Sequence, residues 1–301
     1  MKSSRQLGSW KLTLKCQGLV VYPTSVEDVS KAVLFSTANS LHLATVGGGH
    51  ATSGSSSTHG GLCIDLSKMR IVTVDVEKKT VTAQGGALWE HVDAELAKYG
   101  LGAVGGTVNH TGIGGLTLGG GYGYLSPRYG LTIDNLLSVE LVLANGKIVT
   151  ASETENKDLF WAVRGAGAAF GVVTSFTYQA HDQNNDVWGG MLVFPPPLLA
   201  EVMAFANTIL EGPQGDKVML VGFGAPPPAH QPVIMAIVFY NGSEEEGKAF
   251  YEPLLKLGPL ANMTTVMPFS SANSMLNPAM FAGLRRTMKG TQCPPRSTKA
   301  S

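Results

Sequence analysis

The run Gly105-Gly106-Thr107-Val108-Asn109-His110-Thr111-Gly112-Ile113-Gly114-Gly115, continued by Leu118-Gly119-Gly120-Gly121-Tyr122-Gly123, is the feature of this sequence that most needs a physical reason. Between Gly102 and Gly130 there are 11 glycines. Inside a regular element each glycine costs about 0.5–1 kcal/mol relative to alanine, so the stretch reads as loop and something must compensate the loss. A backbone that approaches an anionic group closely supplies that compensation. Without a Cβ, its amide hydrogens reach the anion at van der Waals distance, often from left-handed conformations. Two common glycine fingerprints do not fit. Gly112-x-Gly114 and Gly165-x-Gly167 have Thr117 and Phe170 where a Rossmann fold needs a third glycine, and Gly146-Lys147 is followed by Ile148 where a P-loop needs Ser or Thr.

Toward the N-terminus, the apolar run Leu41 to Val46 predicts a buried strand that ends at Gly47-Gly48-Gly49-His50, a strand feeding another glycine loop. Thr24-Ser25-Val26-Glu27 predicts a capping box, with Val26, Val29 and Val33 on one helix face. Leu62 to Asp65, Ile71 to Val76 and Val81 to Ala83 predict strands, and Leu88, Val92 and Leu96 mark a helix that stops at Gly100. Toward the C-terminus, Asn145-Gly146 predicts a hairpin with positive backbone angles at its turn, followed by a helix over Thr154 to Val163 and a strand over Phe170 to Tyr178. After about Ala180 the texture changes to Pro195-Pro196-Pro197, a helix through Leu198 to Leu210, strands over Val218 to Phe223 and Pro232 to Tyr240, and a helix over Ser243 to Leu257. The reading is α+β, with one domain over 17–181 and a second over 182–301 whose tail has no periodicity.

Composition narrows the function classes. With 22 basic and 22 acidic side chains and no Lys/Arg cluster, the chain offers no field for nucleic acid or an anionic membrane. Cys16, Cys63 and Cys293 have no metal-ligand spacing, and no metal site is expected. The first 19 residues lack the apolar run of a signal peptide, and no stretch reaches transmembrane length. As written the chain reads as cytoplasmic, with secretion open if residues precede Met1. Asn109, Asn241 and Asn262 begin N-glycosylation tripeptides that carry meaning only in a secretory setting.

Four ordered segments resemble the PCMH-type FAD domain of the berberine-bridge-enzyme-like flavoproteins in the vanillyl-alcohol-oxidase superfamily. Val20-Val21-Tyr22-Pro23-Thr24-Ser25-Val26-Glu27-Asp28-Val29 is similar to its opening, and Gly47-Gly48-Gly49-His50-Ala51-Thr52-Ser53-Gly54 to its pyrophosphate loop. The glycine run from Gly105 resembles its second FAD loop. Asp158-Leu159-Phe160-Trp161-Ala162-Val163-Arg164-Gly165, then Phe170-Gly171-Val172-Val173-Thr174, resembles its closing segment. The likeness spans Gly18 to Tyr178, and Trp188 to Lys289 looks like the first part of the family's substrate domain. It implies an FAD domain of two α/β subdomains followed by a partial substrate domain with an antiparallel sheet and helices. The implied activity is hydride transfer from a small alcohol, sugar or secondary-metabolite substrate to a covalent flavin, with dioxygen as the usual acceptor.

The resemblance also implies residue roles. Gly47, Gly48, Gly49, His50, Ala51, Thr52 and Ser53 form the first cofactor loop, with His50 as the covalent link. Gly106, Thr107, Thr111, Gly112, Gly115, Gly119 and Gly120 wrap the pyrophosphate and ribityl chain, and Gly171, Val172 and Val173 give backbone contacts. Val108 stands where many relatives carry a second flavin-linking cysteine, so attachment through His50 alone is expected. Tyr122, Tyr124 and His110 are candidates for lining, and no catalytic base is assigned. Relatives are longer, with a last segment that returns to the FAD domain and that Gln292-Cys293-Pro294-Pro295-Arg296 does not resemble. A shortened, catalytically silent flavin-binding form is therefore the alternative expectation, and a sugar- or nucleotide-binding α/β protein without flavin the third.

Overall fold

The computed structural model describes residues 18–211, 215–226 and 230–277. Strands β1 (Leu19–Val21), β2 (Leu43–Val46) and β3 (Leu62–Asp65) form a parallel sheet in the order β1-β3-β2. Helix α1 (Val26–Ala38) buries Val29, Ala32 and Val33 with Leu62 and Ile64 of β3. Its cap lies one residue later than the sequence pattern predicts. Ser25 is the N-cap and accepts from the Asp28 amide, while the Asp28 carboxylate accepts from the Thr24 amide and hydroxyl at 3.2 and 3.1 Å. Here Asp28 makes the return contact to Thr24 that was expected of Glu27.

The chain continues through β4 (Val72–Asp75), β5 (Thr80–Gln84), α2 (Trp89–Ala97), β6 (Leu101–Gly102), α3 (Ile113–Leu118), α4 (Ser126–Tyr129), β7 (Leu136–Val142), β8 (Ile148–Ser152), α5 (Lys157–Ala166) and β9 (Val172–Gln179). Five of these strands make an antiparallel sheet in the order β4-β5-β9-β7-β8. Trp89, Val92 and Leu96 of α2 and Phe160 and Val163 of α5 share a core with Val81, Val139, Phe176 and Tyr178. At the hairpin only Gly146 has a positive φ, 78°, while the Asn145 side chain accepts from the Lys147 amide. Asn145 thus holds the turn by hydrogen bonding rather than by a left-handed backbone. Helix α5 starts later than predicted because the Ser152 hydroxyl ties the Thr154 and Glu155 amides into a turn at 3.2 and 3.1 Å.

The glycine run holds a helix where the sequence argued for loop alone. Within α3, Gly114 sits so close to the Phe176 ring that a Cβ would stand 3.4 Å from it. The Thr117 hydroxyl bonds Ile113 O at 2.7 Å and Tyr178 Oη at 2.8 Å. Packing and these bonds offset the poor helix propensity of glycine.

The remaining elements are β10 (His181–Asp182), which pairs with β6, then β11 (Asp186–Phe194), α6 (Leu199–Glu211), β12 (Lys217–Gly224), β13 (Val233–Tyr240), α7 (Glu244–Phe250), α8 (Glu252–Lys256), β14 (Ala261–Asn262), β15 (Thr265–Pro268) and α9 (Phe269–Ala272). They build an antiparallel sheet in the order β12-β13-β11-β14, with β15 also on β11. One face packs on α6 and α8 through Trp188, Leu192, Val202, Ala236, Tyr251 and Leu254. The single helix predicted over Ser243 to Leu257 is broken at Tyr251, where Pro253 follows and the Tyr251 hydroxyl donates to Val218 O and Phe239 O. The other face meets Val104, Tyr124 and Leu125, which flank the glycine run, through Val187, Val218 and Phe239.

Candidate functional site

Two of the loops singled out in the sequence meet backbone to backbone. A Cβ on Gly48 would fall on the amide of Gly112, and a Cβ on Gly112 would fall on that of Gly48. Neither position tolerates a side chain, so the first loop, leaving β2, and the second, entering α3, are locked together by glycine at both. The second loop is also pinned from behind. Thr111 O and Asn109 O accept from the Trp89 and Glu90 amides at the start of α2, and the Asn109 amide donates to Asn273 O at 2.7 Å.

Beside this crossing, His50 Nε2 lies 2.8 Å from His110 Nδ1, with ring centroids 4.8 Å apart. One nitrogen donates and the other accepts, so the pair shares a proton and fixes the two rings against each other. Burial, and then the charge of His110, push the His50 imidazolium down to about 4. At neutral pH its ring is therefore uncharged, and the nitrogen without a proton is nucleophilic.

The candidate glycines divide into two kinds. Gly106 is buried against Leu116 and the Trp89 indole, where a Cβ would stand 2.7 Å from a Leu116 methyl, so packing alone accounts for it. Around Gly115 nothing lies within 4 Å of a Cβ. Gly119 meets only carbonyls of its own helix, the nearer at 3.5 Å, and Gly120, at φ 113°, meets a Leu131 methyl at 3.8 Å. Gly115, Gly119 and Gly120 thus have open space around them, with Gly115 and Gly119 exposed to solvent. Gly47 and Gly49 are half-buried, Gly49 with φ 73°, and Ala51, Thr52 and Ser53 lead into a turn in which Gly54 N donates to Ala51 O. Thr107 and Thr111 are half-buried in the second loop.

Other candidates are explained by the fold. Val172 joins the α1 core and Val173 the α2 core, and a Cβ on Gly171 would strike Val142 O, so this segment has only backbone to offer a ligand. The tyrosines separate as well. Tyr124 is buried and stacked on Phe239 at 4.8 Å, whereas Tyr122 is 47% exposed. Val108 is buried, and Cys63 is a buried thiol pushed up to about 11 by desolvation, with the Asp65 charge adding to it. Cys16 and Cys293 lie outside the described residues.

Sequence reading missed Asp93, Asn273 and Asn277. Asp93 is fully buried on α2 and accepts from Asn273 Nδ2 at 2.7 Å, and Asn277 Nδ2 donates to Asn109 Oδ1 at 2.8 Å. An acid at a core position of α2, in phase with Trp89 and Leu96, was the available signal. Among the described residues no group of three or more His, Cys, Asp and Glu could hold a metal ion, and no helix is long and apolar enough to cross a membrane.

An FAD fits this arrangement on two counts: two glycine loops whose backbones meet without side chains at Gly48 and Gly112, beside the open Gly115, and an uncharged, paired histidine next to that crossing. Comparison with known proteins agrees. The FAD binding domain family matches residues 18–152. The FAD-linked oxidoreductase pgmH of Aspergillus terreus is 41% identical over 281 residues, covering 91% of this chain and 56% of the relative. The chain thus spans a little over half the length of that curated relative. Among solved structures, 6-hydroxy-D-nicotine oxidase from Arthrobacter nicotinovorans superposes with a TM-score of 0.83 at 29% identity, covering 91% of this chain and 61% of that one. The xylooligosaccharide oxidase from Myceliophthora thermophila, in complex with xylobiose, gives 0.74 at 29% identity, with 90% and 60% covered. Residues 18–152 match the FAD binding domain family, and the homologues of this chain are FAD-linked oxidoreductases, with a berberine-bridge-enzyme-like protein among its structural neighbours.

Proposed function

We propose that the chain is the flavin-carrying part of an oxidase or dehydrogenase acting on a small alcohol, sugar or secondary-metabolite substrate, with dioxygen as electron acceptor. The observation that carries this reading is the crossing of Gly48 and Gly112 with His50 and His110 paired beside it. FAD, when bound, supplies the hydride acceptor. In this reading residues 17–181 hold the cofactor and 182–301 contribute to the substrate side.

The chain's own residues then have distinct tasks. Backbone of Gly47, Gly48, Gly49 and of Gly112, Gly115, Gly119 and Gly120 gives close approach to the pyrophosphate and ribityl chain. His50, uncharged at neutral pH, is the attachment residue, and His110 holds its Nε2 and so its ring orientation. Val108 has no group able to form a second link. Thr107 and Thr111 offer hydroxyls along the second loop.

The test is an absorption spectrum of the purified protein followed by acid precipitation. Yellow colour should stay with the pellet and map to the His50 peptide, and the His50→Ala protein should release its colour to the supernatant. Colour that stays in the His50→Ala pellet refutes the attachment. Colourless wild-type protein refutes flavin binding, and yellow protein whose flavin no donor reduces under anaerobic conditions refutes the enzymatic reading.

A further inference from the structure

We infer that Asn273 is a positioning residue for the histidine pair: acting through Asn109, it sets where His110 and the His50 ring stand, an inference that rests on the flavoenzyme reading above. Histidine is a short side chain with only χ1 and χ2 to turn, so the His110 ring goes where its backbone carries it. That backbone is tethered on both sides. Thr111 O accepts from the Trp89 amide at 3.0 Å. Asn109 is held three times: its carbonyl accepts from the Glu90 amide at 2.9 Å, its own amide donates to Asn273 O at 2.7 Å, and its Oδ1 accepts from Asn277 Nδ2 at 2.8 Å. The last two bonds come from the segment that follows α9.

Asn273 is itself clamped. It is buried at the end of α9, and its Nδ2 donates to Asp93 Oδ2 at 2.7 Å, about one turn into α2. The side chain thus fixes Asn273 on α2, while its carbonyl fixes Asn109, whose own carbonyl rests on the Glu90 amide near the start of the same helix. Asn273, Asp93, Glu90 and Asn109 close a ring of contacts at the base of the loop. Docking of the sheet does not call for such a ring. The same seam already joins Val104, Tyr124 and Leu125 to Val187 and Phe269 by apolar contact, which makes no directional demand. A buried amide stabilises only while its partners stand in place, so what this ring adds is geometry. The residue it delivers is His110, with Nδ1 2.8 Å from His50 Nε2. Misplacing a reacting group by about 1 Å can cost on the order of 100-fold. Opening the ring should therefore cost His50 its orientation for attachment before it costs the fold.

The experiment is acid precipitation of purified full-chain variants, each with its melting temperature, read as the share of bound yellow colour kept in the pellet. Asn273→Ala and Asp93→Ala each open the ring, and most of their colour should move to the supernatant. Asp93→Asn keeps an oxygen for Asn273 and should hold its colour in the pellet as the wild type does. Asn277→Ala, a milder change at a half-buried position, removes one bond to Asn109 and should release a smaller share; it decides the question where the buried variants do not fold. Leu254→Ala loses a core side chain on the helix-covered face of the sheet and reads what lost stability alone does, so its colour should stay pelleted. Colour that stays pelleted in both asparagine variants, or that leaves as readily from Leu254→Ala or Asp93→Asn, overturns the inference. Colourless wild-type protein counts against the flavin reading instead, and the same variants are then compared by the NMR signals of the His50 and His110 rings. Both rings should shift in Asn273→Ala and hold in Leu254→Ala, and rings that Asn273→Ala leaves unmoved overturn the inference.

Discussion

At Gly48 and Gly112 the backbone of each loop occupies the space a side chain would need, whereas at Gly115 that space is open. Alanine at these positions should therefore act in opposite ways. Gly48→Ala forces two backbones apart and should cost on the order of 3 kcal/mol, as overpacking does in a core. Gly115→Ala sits on a helix with room around it, so the flavin-free protein should gain up to about 0.5–1 kcal/mol. If a bound flavin uses the open space at Gly115, the added methyl competes for it and flavin retention should fall. Thermal unfolding and flavin stoichiometry measured side by side decide the matter, since a Gly115→Ala protein with undiminished flavin would remove that glycine from the cofactor site. The sequence made this cluster legible as a set, because so many glycines need a compensating contact. It could not sort them, because packing against Trp89 and facing a ligand leave the same residue type. His50 was legible as a loop histidine, but its pairing with His110 was not, since that depends on how the two loops cross. With its folded value near 4 against an ordinary 6.5, His50 favours folding least when protonation is demanded, and stability is lost as pH falls from about 6.5 toward 4.

At the scale of elements, strands and helices were read well where periodicity was strong, as in β3, α2, β9 and β13. Apart from α3, which packing on Phe176 also holds, the corrections came from hydrogen bonds that pattern does not encode. Asp28 rather than Glu27 closes the α1 cap, Ser152 delays α5, and the Tyr251 hydroxyl, bonded to two strand carbonyls, marks the break between α7 and α8. Helix α2 carries a further instruction. Desolvation raises its Asp93 carboxyl to about 7, partly opposed by the Asn273 hydrogen bond, and Asp93 Oδ1 has no partner among the described residues. A carboxyl whose folded pKa lies above its unfolded value of 3.8 contributes stability that is fully present below that value and is lost as pH rises through 7. Asp93→Asn keeps the shape and an oxygen for Asn273 while removing the charge. It should raise the melting temperature at pH 8 and flatten its dependence between pH 5 and 8, by an amount corresponding to a few kcal/mol at most. An equal pH slope in the variant would mean that Asp93 is not held protonated.

Across the whole molecule the cofactor loop and the second sheet share more than an edge. Asn273, just after α9, bonds Asp93 on α2 and receives the Asn109 amide of the glycine loop, and Tyr124, a few residues past that loop, stacks on Phe239 of β13. A loop rich in glycine has little side-chain packing of its own, so its order is borrowed from what lies behind it. On the proposed reading this makes the sheet a support of the cofactor site without touching it, and sets a prediction that a self-sufficient FAD domain would fail. Phe239→Ala leaves a buried cavity and should cost about 3–5 kcal/mol. That loss alone would say only that the core is damaged. The informative quantity is flavin affinity, measured in the His50→Ala background where the cofactor exchanges, and compared with Leu254→Ala, which damages the same sheet from its helix-covered face. If the loop depends on its contact with the sheet, Phe239→Ala weakens flavin binding well beyond Leu254→Ala at matched loss of stability. Equal affinities in the two variants would show that residues 18–152 order their glycine loops unaided, and that Tyr124 and Asn273 serve only to dock the sheet.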